Sequence, residues 1–257
     1  MKRIILSVMA INMCAFGLGQ SAIASLADTI EKIKPSIVGV CTHQTTRRPG
    51  TKLMGTGFAV GNGTYFVTNA HVLPEVLDEE NKETLCVIVG TGESAKVRPA
   101  KQIQIDHIHD LALIAISGEP VPAMVMGHTE KVREGDEIAF TGFPIGAVLG
   151  VYPVTHRGIV SAISPVAIPV VNPKDLDVRM IRRLRDPFDV FQLDATAYPG
   201  NSGSPVYHVE TGKVVGVINK VFVKETKEKI LENPSGITYA IPVSHVRQLL
   251  EDAKIPY

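Results

Sequence analysis

The stretch Asp194-Ala195-Thr196-Ala197-Tyr198-Pro199-Gly200-Asn201-Ser202-Gly203-Ser204-Pro205 gathers small, turn-forming residues around one hydroxyl. Ser202 lies between glycines, in a loop entered through Pro199 and closed by Pro205. Such a composition accounts for an ordinary turn without further purpose. The alternative reading is a backbone shaped to present Ser202 as a nucleophile. A free serine hydroxyl is a poor nucleophile, so that reading demands an adjacent base and an acid to orient it. It also demands backbone N–H groups to receive a developing oxyanion. The rest of the chain decides between the two.

The chain has 257 residues, 45% hydrophobic and 20% charged, with 22 Gly and 17 Pro. That is material for a sizeable core with many turns, as one large domain or two lobes of roughly 100 residues each. The formal net charge is zero, which removes any electrostatic argument for nucleic acid or an anionic membrane surface as partner. At the N-terminus, Lys2 and Arg3 precede a mostly apolar run from Ile4 to Leu18, and Ala22 and Ala24 give the small-residue spacing of a cleavage site. Residues 1–24 read as a signal peptide. The apolar run is short for a span of about 20 residues, and the residues before Cys14 lack the small side chain expected beside a lipidated cysteine. Cleavage removes two basic residues and leaves a nearly neutral, slightly acidic chain. The expected destination is outside the cytoplasm, periplasmic or secreted, with no stable membrane anchor remaining. Cys41 and Cys86 survive cleavage. They read equally as an oxidised pair or as two buried thiols.

Taken in order, Leu26, Ile30 and Ile33 fall on one face of a short helix that Pro35 stops. Strand patterns follow at 36–41, 55–60, 65–68, 85–89, 97–105 and 111–116, with a two-residue type I′ turn expected at Asn62-Gly63. Gly118-Glu119-Pro120-Val121-Pro122 reads as a connection. Beyond it, strands are expected at 137–142, 155–163, 190–194, 205–208, 214–223 and 236–241. The segment 164–189 is too long for an ordinary turn, and its Arg179, Arg182, Arg183 and Arg185 read as a solvated face. Ser244 is expected to cap a last helix lined by Val246, Leu249, Leu250 and Ala253. The organisation is thus an all-β lobe over 25–118 and a second over 119–257 that ends in a helix.

Of eight histidines, only His71 follows a hairpin strand directly, within Thr68-Asn69-Ala70-His71-Val72, where a rigid sheet can hold an imidazole. For the orienting carboxylate, Asp110 stands at the mouth of the apolar strand Leu111–Ile116, a costly place for an unpaired acid. Asp106 competes without that position. The cluster Asp106, His107, His109 and Asp110 lacks ordinary metal-ligand spacing, so no metal is expected. His71, Asp110 and Ser202 then stand in the order His, Asp, Ser.

At these residues the chain resembles the trypsin-like (chymotrypsin-fold) serine proteases. Thr68-Asn69-Ala70-His71, Asp110-Leu111-Ala112-Leu113 and Gly200-Asn201-Ser202-Gly203 are similar to their three signatures, and the handed-down triad mechanism comes with them. Pro35-Ser36-Ile37-Val38, Gly55-Thr56-Gly57-Phe58, Gly142-Phe143-Pro144, Arg157-Gly158-Ile159-Val160 and Gly236-Ile237-Thr238-Tyr239 extend the likeness to the HtrA/Deg branch, over nearly all of residues 26–252.

The resemblance implies two six-stranded antiparallel β-barrels with a short N-terminal and a C-terminal helix. It implies a serine endopeptidase needing no cofactor, acting on protein or peptide substrates through His71, Asp110 and Ser202. Gly200, Asn201 and Ser202 would supply the oxyanion hole. Thr196 would form the base of the primary pocket, with Val217, Ile218 and Asn219 as its wall. Since Thr196 is no carboxylate, small or medium aliphatic residues are expected there rather than Lys or Arg. Barrel closure would bring Cys41 beside Cys86 as a disulfide. Two departures stand out. Ser204 occupies a position where the family usually has glycine, and the chain stops at Tyr257 where the branch usually continues into a PDZ domain. The competing expectation is a latent or inactive protease-shaped binding protein of the cell envelope.

Overall fold

Leu26, Ile30 and Ile33 recur at helical spacing, and helix α1 (Leu26–Ile33) forms there. The computed structural model describes residues 25–145, 150–166, 187–219 and 237–257. The expected signal peptide, the arginines between 179 and 185 and the tail of the strand expected at 214–223 lie outside these. Ser25 and Asp28 cap α1 reciprocally, each accepting the other's backbone N–H, which satisfies two donors left open by the first turn. Pro35 sits in the tight turn that ends it.

Strands β1 (Ile37–His43), β2 (Thr51–Val60), β3 (Tyr65–Thr68), β4 (Thr84–Val89), β5 (Lys96–Asp106) and β6 (Leu111–Ile116) close into one antiparallel barrel in the order β1-β2-β3-β6-β5-β4. A second closes as β10-β11-β12-β9-β8-β7. Its strands are β7 (Glu137–Gly142), β8 (Val154–Pro165), β9 (Asp189–Asp194), β10 (Pro205–His208), β11 (Val214–Asn219) and β12 (Ile237–Pro242). Helix α2 (Val243–Asp252) follows immediately. Two local expectations are corrected. The β2–β3 turn is centred on Gly61-Asn62, where Gly63 N–H donates to Val60 O and Gly61 alone among its two central residues has positive φ, so it is not a type I′ turn at Asn62-Gly63. Pro242, not Ser244, holds the N-cap position of α2. Ser244 is already inside the first turn, its N–H taken by Thr129 Oγ1.

Alternation along the strands distributes the core among three places. Val38, Val40, Phe66, Val87, Ala112 and Ile114 fill the first barrel. Ile138, Phe140, Val160, Phe191, Leu193 and Ile218 fill the second. The opposite faces of the same strands meet between the barrels, where Phe58, Val67, Leu111 and Leu113 share one cluster with Ala139, Tyr207, Val214 and Val217. Strand β6 is therefore buried on both faces, which explains its uninterrupted apolar sequence. Val243, Val246, Leu249 and Leu250 of α2 join this middle cluster, so the end of the chain lies against the first barrel.

Cys41 and Cys86 are direct partners across β1 and β4, with Cα atoms 5.0 Å apart, and are joined as a disulfide. A thiol titration of denatured, unreduced mature protein is expected to find neither cysteine free. Two reactive thiols would contradict the pairing.

The contact of α2 with the first barrel carries a second feature. The His245 ring stacks on His109 at 3.8 Å between centroids, and Phe188 meets both rings edge-on. Burial, and then electrostatic repulsion from the neighbouring His109 ring, pushes the His245 imidazole from the ordinary 6.5 down to about 4, against a pull from Asp106. The unfolded chain therefore takes up this proton before the folded one, so stability is full above about pH 6.5 and falls as pH drops toward 4. The difference amounts to about 3 kcal/mol at most. His245→Gln should flatten this part of the pH dependence, read as urea midpoints at pH 7.5 and 4.5. An unchanged slope would remove His245 as its source.

Candidate active site

Asp110 closes the turn that leads from β5 into β6. Asp106 shapes that turn: its Oδ1 accepts the N–H groups of Ile108 and His109, and its Oδ2 meets His109 Nδ1 at 2.5 Å. Its carboxyl is thus occupied within the turn. Burial raises its pKa, but the hydrogen bonds from His109 outweigh this and hold it below the usual carboxylate value. Asp110 itself adopts φ +55°, a left-handed conformation that Asp tolerates better than most residues. This aims both its carbonyl and its carboxylate at the segment after β3. Asn69 Nδ2 and Ala70 N–H donate to Asp110 O, each at 3.1 Å. His71 N–H donates to Asp110 Oδ1 at 2.9 Å, and His71 Nδ1 meets Asp110 Oδ2 at 2.6 Å. The imidazole is thereby fixed in orientation, with Nδ1 turned to the carboxylate and Nε2 turned away from it.

A fifth donor comes from the other barrel. Asn219 Nδ2 reaches Asp110 Oδ2 at 2.8 Å. The resemblance expects Asn219, with Val217 and Ile218, in a pocket wall; the structure gives Asn219 this contact with the acid as well. The β10–β11 register slips between Val206 and Tyr207, and such a bulge resets which residues face which side. Val217 and Asn219 then face the inter-barrel seam and Ile218 the interior of its barrel. Val217 and Ile218 are fully buried. Thr196 is partly exposed beside the nucleophile loop.

The loop bearing Ser202 is held tightly. Pro199 O accepts the N–H of Ile145 at 2.6 Å, and Asn201 N–H donates to Tyr198 O at 3.0 Å. Gly203 N–H donates to Ile218 O, and Ser202 O accepts the N–H of Thr56 at 2.9 Å. Of the three backbone groups expected to form an oxyanion hole, Asn201 N–H is therefore already spent. Those of Gly200 and Ser202 take no partner among the described residues. Ser202 is 7% exposed, and its hydroxyl makes no hydrogen bond to His71. In resting enzymes such contacts often tighten only with substrate bound.

Ser204 is fully buried and its hydroxyl has no partner among the described residues. It fits because Gly142 has no side chain: a Cβ at Gly142 would overlap the Ser204 hydroxyl and lie 2.8 Å from Thr56 Oγ1. Both Asn201 amide atoms are likewise buried without partners among the described residues, so the loop's inner side is a small, polar, closely packed region.

Two closed barrels with a His-Asp pair and a serine loop facing their seam define the chymotrypsin-like class. The comparisons with known proteins agree. The family model for the trypsin-like peptidase domain matches residues 55–217, and the chain belongs to that family. It is 29% identical over 254 residues to the serine protease Do-like HtrB of Bacillus subtilis, covering 90% of this chain and 48% of the relative. It is 30% identical over 209 residues to a probable periplasmic serine endoprotease DegP-like of Pseudomonas putida, covering 81% of this chain and 37% of that protein. Against serine protease HTRA1A of Danio rerio the identity is 28%, over 89% of this chain and 41% of the relative. The chain thus spans less than half of each of these relatives. Among solved structures, the HtrA-type protease AlgW with decapeptide superposes with a TM-score of 0.65 at 22% identity, covering 90% of this chain and 68% of that one.

The packing of Gly142 against Ser204 gives a direct test. Gly142→Ala should lower stability by about 1–3 kcal/mol through overpacking, read as a urea-midpoint shift. Ser204→Gly in the same chain should return part of the loss. Simple additivity of the two changes would show that the side chains do not compete for this space.

Proposed function

We propose that the protein is an exported serine endopeptidase of the HtrA type that cleaves envelope or extracellular proteins. The observation that carries this reading is the His71–Asp110 pair facing a serine loop whose Gly200 and Ser202 N–H groups take no partner among the described residues. In the proposed reaction, His71 Nε2 removes the proton of Ser202 as its Oγ attacks the scissile carbonyl. Asp110, held by Asn219 and by His71 itself, keeps the ring in the tautomer that leaves Nε2 able to accept. The carbonyl oxygen, becoming an oxyanion, is received by the N–H groups of Gly200 and Ser202. His71 returns the proton to the leaving amine, and water releases the acyl group by the same steps in reverse. The preference at the primary pocket is for small or medium aliphatic residues, because Thr196 offers no charge to pair with Lys or Arg. Export is supported by the leading sequence, by the periplasmic designation of the Pseudomonas putida relative and by the Cys41–Cys86 bond, a form that persists in oxidising compartments.

A latent state is the second reading, favoured by the absence of a Ser202–His71 hydrogen bond. Fluorophosphonate labelling separates the two. The active enzyme is expected to label at Ser202 in its resting form. Ser202→Ala should abolish labelling and cut peptide hydrolysis by about 10⁶-fold, and a cleavage profile should be dominated by aliphatic residues. Labelling that appears only after peptides are added would establish latency. Cleavage after Lys or Arg would overturn the proposed pocket.

A further inference from the structure

Thr56 lies on β2 of the first barrel, in the opposite lobe from Ser202, and is fully buried. Strand β3 pairs with β2 only from Phe58 onward, through Phe58–Val67, Ala59–Phe66 and Val60–Tyr65. Thr56 falls short of that ladder, so its backbone is open to other partners. Its N–H donates to Ser202 O at 2.9 Å, and its carbonyl accepts from the hydroxyl of Thr68 at 2.7 Å. Thr68 ends the strand that leads into His71. The Thr56 backbone therefore touches the approaches to both proposed reacting residues.

Its side chain is more specific. Thr56 Oγ1 accepts the N–H of Phe143 at 3.0 Å and donates to Gly200 O at 2.7 Å. An amide N–H can only donate, so the single hydroxyl hydrogen is free to point at Gly200 O. That carbonyl belongs to the Gly200–Asn201 peptide, whose N–H is held by Tyr198 O. The peptide is thus gripped at both ends, and it lies between the N–H groups of Gly200 and Ser202, which take no partner among the described residues. A displacement of this peptide would shift the flanking peptides that carry both groups.

We propose that Thr56 is a positioning residue whose hydroxyl, by holding Gly200 O, sets the direction of the oxyanion-receiving N–H groups. This rests on the serine endopeptidase reading. The first barrel then supplies, besides His71 and Asp110, the fixed point against which the nucleophile loop of the second barrel is aligned. Thr56→Val keeps the shape and removes the hydroxyl, whereas Thr56→Ser keeps the hydroxyl and removes a methyl group.

The test uses purified mature protein, with the rate of fluorophosphonate acylation and with kcat and KM on a peptide substrate. Thr56→Val is expected to slow acylation and kcat by about 10- to 100-fold, the range for a displacement of roughly an ångström in a reacting group. KM should stay within about twofold. Thr56→Ser should remain within about threefold of the wild type. Wild-type rates in Thr56→Val, a loss confined to KM, or a folded Thr56→Ser as slow as Thr56→Val would each overturn the inference. If Thr56→Val is insoluble, Thr56→Cys replaces it. A thiol is a weak donor, so that variant must be slow where Thr56→Ser is fast, and equal rates refute the role. Failure of the wild type itself to label, with Ser202→Ala as the blank, would instead remove the endopeptidase reading and this inference with it.

Discussion

A carboxylate taken out of water needs several donors around it, and the donors of Asp110 come from both barrels. The first barrel contributes the backbone and ring of His71, and the second contributes Asn219. Asp110 is only 7% exposed, so solvent supplies little compensation if either set is withdrawn. Relative placement of the two lobes is thereby tied to the satisfaction of one acid. A shift of the second barrel that removed Asn219 would leave Oδ2 dependent on the imidazole alone. The ring that the acid orients would then be held less firmly.

The seam is well suited to so demanding a group because it is otherwise stiff. Strands such as β6 and β7 bury one face in their own barrel and the other between the barrels. Interiors packed to this degree respond to small volume changes with strain. The polar contacts across the seam, from Thr56 to Gly200 and Ser202 and from Asn219 to Asp110, are set within that apolar frame. Their geometry is consequently imposed by packing over a large area, with the hydrogen bonds selecting the final orientation.

Much of this was legible in the sequence, and what was not has an identifiable cause. His71, Asp110 and Ser202 each carry a local signature, because each sits at a strand end or turn with its own requirements. Strand positions were readable for the same reason, through Gly, Pro and Asn at their borders. The contact of Asn219 with Asp110 was not legible, because a bulge changes the parity of β11 and a strand pattern read with period 2 contains no mark of it. The compatibility of Ser204 with Gly142, and the hydroxyl of Thr56 against Gly200 O, join segments far apart in the chain. No window of sequence holds both members of either pair. The α2 start was missed because Pro242 completes a strand and begins a helix without a side-chain cap.

Helix α2 gives the molecule an order of completion that differs from its order of synthesis. Its Val243, Val246, Leu249 and Leu250 share a buried cluster with Phe58, Val60, Leu111 and Leu113 of the first barrel. During translation the N-terminal lobe emerges first, yet the ten residues of this helix arrive only after every strand of the second lobe. Until then an apolar flank of the early barrel stays uncovered, and the contact that closes it is among the least local in the chain, a kind that forms slowly. The lobe that is begun first is the one finished last.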